Sequence, residues 1–101
     1  MPKHEVKLFR TTKEMDKWIM ESEYEISKHI VDIILQNMPI KSKLLCMRWV
    51  NQEENVEYDI ELVPEDLKLT LSENLSIMEK YEDYERCSLI KKIITDETIN
   101  G

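Results

Sequence analysis

The only glycine in this chain of 101 residues is the last residue, Gly101, and alanine is absent. Residues 1–100 therefore fold without the two smallest side chains, and any left-handed backbone position must be taken by a residue that carries a Cβ. Phosphate-cradling loops, dinucleotide fingerprints and strained nucleophile turns all need the positive φ or the close backbone approach that glycine supplies. Those devices are excluded, and function narrows toward binding. Alanine and glycine codons are GC-rich, while those of the abundant Ile, Lys, Asn and Glu are AT-rich, so the composition points to an AT-rich genome such as a bacteriophage's.

A chain of this length holds one modest core and a single domain, expected over residues 1–95. Apolar residues make up 42% of it and recur with the periods of regular structure, which separates it from a disordered chain. The net charge of −7 repels duplex phosphates, and Arg10, Arg48 and Arg86 are scattered, so direct nucleic-acid binding is not expected. Cys46 and Cys87 form no CxxC pattern and Met1-Pro2-Lys3-His4 begins no apolar signal segment, which together imply a reducing, cytoplasmic compartment. No apolar run approaches the roughly 20 residues of a membrane span, and no membrane partner is expected.

Residues 4–10 alternate polar and apolar as a half-buried strand does. Thr11-Thr12-Lys13-Glu14 reads as a capping box, and apolar residues from Met15 to Ile34 at steps of three and four predict one long helix over 12–37, ended by Pro39. Residues 43–50 carry apolar groups on both faces, the pattern of a central strand covered on both sides. After a polar turn at 51–54, Asn55–Leu62 alternates strictly, with Val56, Tyr58, Ile60 and Leu62 toward the core. Residues 66–71 read either as a helix opened by Pro64 or as a short strand through Leu67, Leu69 and Leu71, and the strand is the preferred reading. Two antiparallel helices over 73–80 and 83–95 follow, with 96–101 as a frayed tail.

The segment Tyr84-Glu85-Arg86-Cys87-Ser88-Leu89-Ile90-Lys91-Lys92-Ile93-Ile94 resembles the second half of the UVR motif, a helical hairpin of the excision-repair proteins UvrB and UvrC and of some Clp-associated regulators. Tyr84 takes the aromatic place, Cys87 and Ser88 the small pair at the helix crossing, and Ile90 and Ile94 the aliphatics, while Lys92 stands where the motif has an acid. The resemblance covers 73–95 alone. It implies a helical hairpin with a tendency to protein–protein association.

Trp18, Met20 and Tyr24 lie off the main stripe of the long helix. They are either a wide buried face or an exposed interface patch, joined by Tyr81, Tyr84 and Ile90 of the hairpin as candidate partner-binding residues. Glu53, Glu54, Glu57, Asp59 and Glu61 gather acids along one strand and its turn, either a solvated face or an imitation of a row of phosphates. Asp59, Glu61 and the Asp66-Leu67-Lys68 triplet raise a metal-nuclease alternative, in which carboxylates hold Mg²⁺ and lysine positions water. His4 and His29 lack partners at ligand spacing, and both cysteines sit in apolar settings, so no cofactor, metal or catalytic residue is assigned.

The sequence thus predicts an α+β domain of order β-α-β-β-(β)-α-α, a small, mainly antiparallel sheet packed on the helix 12–37 with the C-terminal hairpin closing the other side. The expected function is that of a non-enzymatic, acidic regulatory protein that binds a larger transcription, replication or defence complex of a host or virus. A homodimer is a further possibility, because so small a core offsets its conformational entropy narrowly. The alternatives are an acidic nucleic-acid mimic and the metal nuclease.

Overall fold

The structure, a computed structural model, describes residues 5–100, with side chains through residue 96. Strand β1 (Glu5–Phe9) leads through α1 (Thr12–Glu21) and α2 (Glu23–Gln36) to β2 (Leu44–Asn51) and β3 (Val56–Leu62). A 3₁₀ turn at Pro64–Asp66 then opens α3 (Leu67–Lys80), and α4 (Tyr84–Asn100) closes the fold. The α+β class holds. β2 is the central strand of a three-stranded mixed sheet, antiparallel to β3 and parallel to β1.

The cap of α1 is as expected: extended Thr11 accepts a hydrogen bond from the Glu14 amide at 3.1 Å. The single helix over 12–37, however, breaks at Ser22, whose φ of −115° and ψ of 26° leave the helical region. Its halves serve different neighbours. Trp18 of α1 sits between Phe9 and Trp49, at ring-centroid distances of 5.4 and 5.7 Å, whereas Val31, Ile33 and Ile34 of α2 enter the main core. A bend within Glu21-Ser22-Glu23 costs no apolar contact.

The short strand at 66–71 is replaced by helix. Leu67, Leu71, Asn74 and Met78 are buried at helical spacing, while Leu69, which the alternation required inside, is 60% exposed. The tail is corrected as well: α4 continues through Asn100.

Helices cover only one face of the sheet. The register pairs Lys7 with Trp49, Phe9 with Asn51 and Ile60 with Met47, and this row faces the helices. Alternation sends Val6, Leu8, Arg48, Val50, Glu57 and Asp59 to the opposite face. That face is open, so β2 is not covered on both sides, and the α3–α4 hairpin packs against α2 instead of closing the sheet from behind. The apolar row of β3 is covered only at one end: Leu62 is buried and Ile60 half-buried, but Val56 and Tyr58 are exposed. The main core joins Ile33, Ile34, Met47, Leu62, Leu71 and Ile90 across α2, β2, β3, α3 and α4.

Without internal glycine, left-handed positions fall to Asn55 at φ 55° and Glu82 at φ 58°. Asparagine tolerates that region through its short polar side chain; glutamate does so poorly. Glu82 is held there by the α3–α4 connection, where the Asp83 amide donates to the Met78 carbonyl at 2.8 Å and the Glu82 amide to Glu79 at 3.1 Å, the paired bonds of a Schellman ending. Glu82→Gly should therefore stabilise the fold by about 1 kcal/mol, read as a higher denaturation midpoint, and Glu82→Val should lower it; a lower midpoint for the glycine variant would refute this account of the connection.

Candidate functional site

Two surfaces stand out, one on each side of the sheet. On the open face, Val6 and Leu8 of β1 are 50% and 61% exposed and lie beside Arg48 and Val50 of β2. Along β3 the same face carries Glu57, Asp59 and Glu61, all exposed. Arg48 grips Asp59 through two hydrogen bonds of 2.6 and 3.1 Å and lies 4.0 Å from Glu57, while Lys43 lies 3.3 Å from Glu61. The Asp59 hydrogen bond raises the Arg48 pKa above its ordinary value, so the guanidinium stays charged. The acidic row is therefore partly neutralised by its own neighbours, and only Glu53 and Glu54, in the turn, stand apart from these pairs.

On the helical side, a groove of about 490 Å³ runs between α1–α2 and α3. Ile19, Met20, Ile26, Ile30, Trp49 and Ile77 make its walls, and Glu23 and Glu73 its rim. Ser27 and Asn74, both buried, line it as a joined polar pair: the Ser27 hydroxyl donates to Asn74 Oδ1 at 2.6 Å, and Asn74 Nδ2 donates to the Thr70 carbonyl at 2.8 Å. Trp49 Nε1 is the one buried side-chain N or O among the described residues that has no hydrogen-bond partner.

The candidate partner residues separate accordingly. Trp18 is half-buried, with Lys7 Nζ 4.8 Å from its ring centre. Tyr24 is half-buried and donates its hydroxyl proton to Asp83 Oδ2 at 2.7 Å. Its ring lies 5.2 Å from that of Tyr81. Met20 is 82% exposed on the lip of the groove, and Tyr84 is 65% exposed. Ile90 has no exposed surface and belongs to the core, so its place among the contact residues is withdrawn.

Sequence reasoning missed the network that ties the hairpin to α2. Arg86 reaches both oxygens of Asp32 at 2.8 Å and also Asp83 at 2.9 Å. Burial alone would raise the Asp83 carboxyl, but hydrogen bonds from Tyr24 and Arg86 outweigh it and hold the group below its ordinary value. The hydrogen bond to Asp83 and, next, burial push the Tyr24 phenol up. The partners are far apart in sequence, and the one local signal was the i,i+3 pair Asp83–Arg86.

His29 and the cysteines serve the fold. His29 Nε2 lies 3.2 Å from the carbonyl oxygen of Cys46, the residue skipped by a register irregularity between Leu45 and Met47. Burial raises the Cys46 thiol to about 11 and also raises Cys87, opposite to what a nucleophile needs. Among the described residues no three His, Cys, Asp or Glu side chains gather as a metal site. Asp59 and Glu61 sit on β3, whereas Asp66 and Lys68 belong to the following turn and α3. His4 lies outside the described residues. No helix is long and apolar enough to cross a membrane among the described residues.

No protein-family model matches the chain, and no curated protein or solved structure matches it.

Two measurements check this geometry. Neither thiol should react with a chromogenic disulfide at pH 8 in the folded protein, and both should react on unfolding; rapid labelling of folded protein would contradict their burial. The Asp83 contribution, with a depressed folded-state pKa, is complete above the ordinary carboxyl value of 3.8 and is lost as pH falls below it. Acid titration followed by circular dichroism should show Asp83→Asn, already weaker at neutral pH, losing less stability than wild type below that pH; parallel curves would refute the network's role.

Proposed function

We propose that the protein is a non-enzymatic regulatory domain, phage-encoded and cytoplasmic, that binds a larger host or viral transcription, replication or defence assembly through the open face of its sheet. The observation that carries this reading is the orientation of β1, which turns Phe9 into the core and leaves Val6 and Leu8 in water. A strand that exposes its apolar row gives up burial worth roughly 25 cal/mol per Å². Contact with another protein recovers it. The α3–α4 hairpin, with its resemblance to an association element and its exposed Tyr84, offers a second point of attachment.

The non-enzymatic part is supported by the sealed, poorly ionising thiols and by the exclusion of glycine-dependent loops. The nucleic-acid mimic finds less support, because Arg48 and Lys43 stand within the acidic row that would imitate phosphates. A self-complementary dimer through this face also finds less support, because two copies would each bring a charge of −7.

The test is affinity capture from nuclease-treated host lysate by immobilised wild type and by Leu8→Asp, an exposed position, with the fold of the variant checked by circular dichroism. A stoichiometric protein held through high salt by wild type and lost by Leu8→Asp supports the proposal. A basic protein released by salt from both would favour mimicry, and a protein retained equally by both would remove the sheet face as the contact.

A further inference from the structure

We infer that the groove between α1–α2 and α3 is a docking site for a basic amphipathic helix of a partner protein, separate from the open sheet face. Three observations converge. The walls are apolar, and Met20 on the lip is 82% exposed, an arrangement that folding alone does not reward. The wall runs from Ile19 and Met20 of α1 across the bend at Ser22 to Ile26 and Ile30 of α2, a row that suits side chains offered at i, i+3 or i+4 and i+7 by a helix laid along it. The groove is open to solvent, whereas small-molecule sites enclose most of their ligand.

Charge selects among apolar occupants. The charged residues on the groove are Glu23 and Glu73, with no lysine or arginine among those that line it. Lys80 already pairs with Glu23 at 2.8 Å, which leaves Glu73 as the acid facing an incoming cation. A second copy of this chain, at −7, would be repelled; a helix with leucine-like anchors and flanking lysine or arginine is complementary. Lysine and arginine stems also lie well along an apolar wall with their charges at its rim. Trp49 lines the groove, and its indole N–H is buried without a hydrogen-bond partner, which makes it a reporter of contact there.

The test uses a synthetic helix of leucine and lysine at helical spacing, with a leucine–glutamate counterpart, titrated into full-length protein while the two indole N–H resonances are followed by NMR. The lysine peptide should bind and move the Trp49 resonance. Met20→Ser and Glu73→Lys should each weaken it by about tenfold, the effect of 1.4 kcal/mol, while Glu57→Lys and Leu8→Asp on the open sheet face leave it unchanged. Absence of binding, equal binding of the glutamate peptide, or equal loss with Glu57→Lys would overturn the assignment. So would a concentration-dependent Trp49 shift without peptide, which would mark self-association. Because Leu8→Asp is silent here, failure of this site and failure of the sheet-face reading are distinguishable.

Discussion

The parallel pairing of β1 with β2 is the constraint on which the rest of the structure depends. Placing Phe9 opposite Asn51 sends the phenyl ring inward toward Trp18, extends the ladder by a hydrogen bond from the Gln52 amide to the Phe9 carbonyl at 2.8 Å, and brings Asn51 to the start of α1. Asn51 is fully buried, and both ends of its amide are engaged. Its Nδ2 donates to the Thr12 hydroxyl at 3.0 Å, and its Oδ1 accepts from the Glu54 amide at 3.0 Å, so one side chain joins a helix start, a strand end and a hairpin turn. A register shift of one residue would turn Phe9 out and Val6 and Leu8 in, and would leave Asn51 facing an unrelated partner. The open apolar face is thus a consequence of a register fixed elsewhere.

The helical layer is held differently. Its core is aliphatic, but the relation of α2 to the hairpin is set by polar groups: Arg86 spans Asp32 and Asp83, Tyr24 completes the Asp83 shell, and Lys80 reaches Glu23. Such pairs add modest net stability once desolvation is counted, but an unpaired member left behind is costly. Leucine and isoleucine pack in many rotations of one helix against another. A guanidinium gripped by two carboxylates does not, and the network fixes which rotation the hairpin adopts.

Much of this fold was legible because its signals were local. The Thr11 cap, the central strand 43–50 and the alternation of 55–62 are each written within ten residues. What failed depended on partners elsewhere. Leu67-Lys68-Leu69-Thr70-Leu71 satisfies a strand pattern and a helix pattern over five residues, and the helix wins because Leu71, Asn74 and Met78 have α2 and α4 to pack against. The break at Ser22 is not carried by the local pattern, whose steps of three and four run through that position without interruption. Of the candidate site, the acidic strand face and Met20 were recognised as exposed or ambiguous, but the groove was not visible, since its walls come from α1, α2, β2 and α3. The opposite lean of Val6 and Leu8 was hidden for the same reason: alternation tells which residues share a face, not which face is inside.

The β1–β2 register also bears on the order in which the chain assembles. β2 with β3, and α3 with α4, are hairpins between neighbours in sequence, whereas Glu5 meets Met47 only after the whole α1–α2 crossover has been laid down. Closing that loop carries the larger entropic cost, which favours formation of the two hairpins before β1 docks. During synthesis β1 is made before the whole α1–α2 crossover and waits through it for β2. In that interval Phe9 joins Val6 and Leu8 in water, and a short apolar strand with free edges is a target for chaperones and for pairing with other nascent chains.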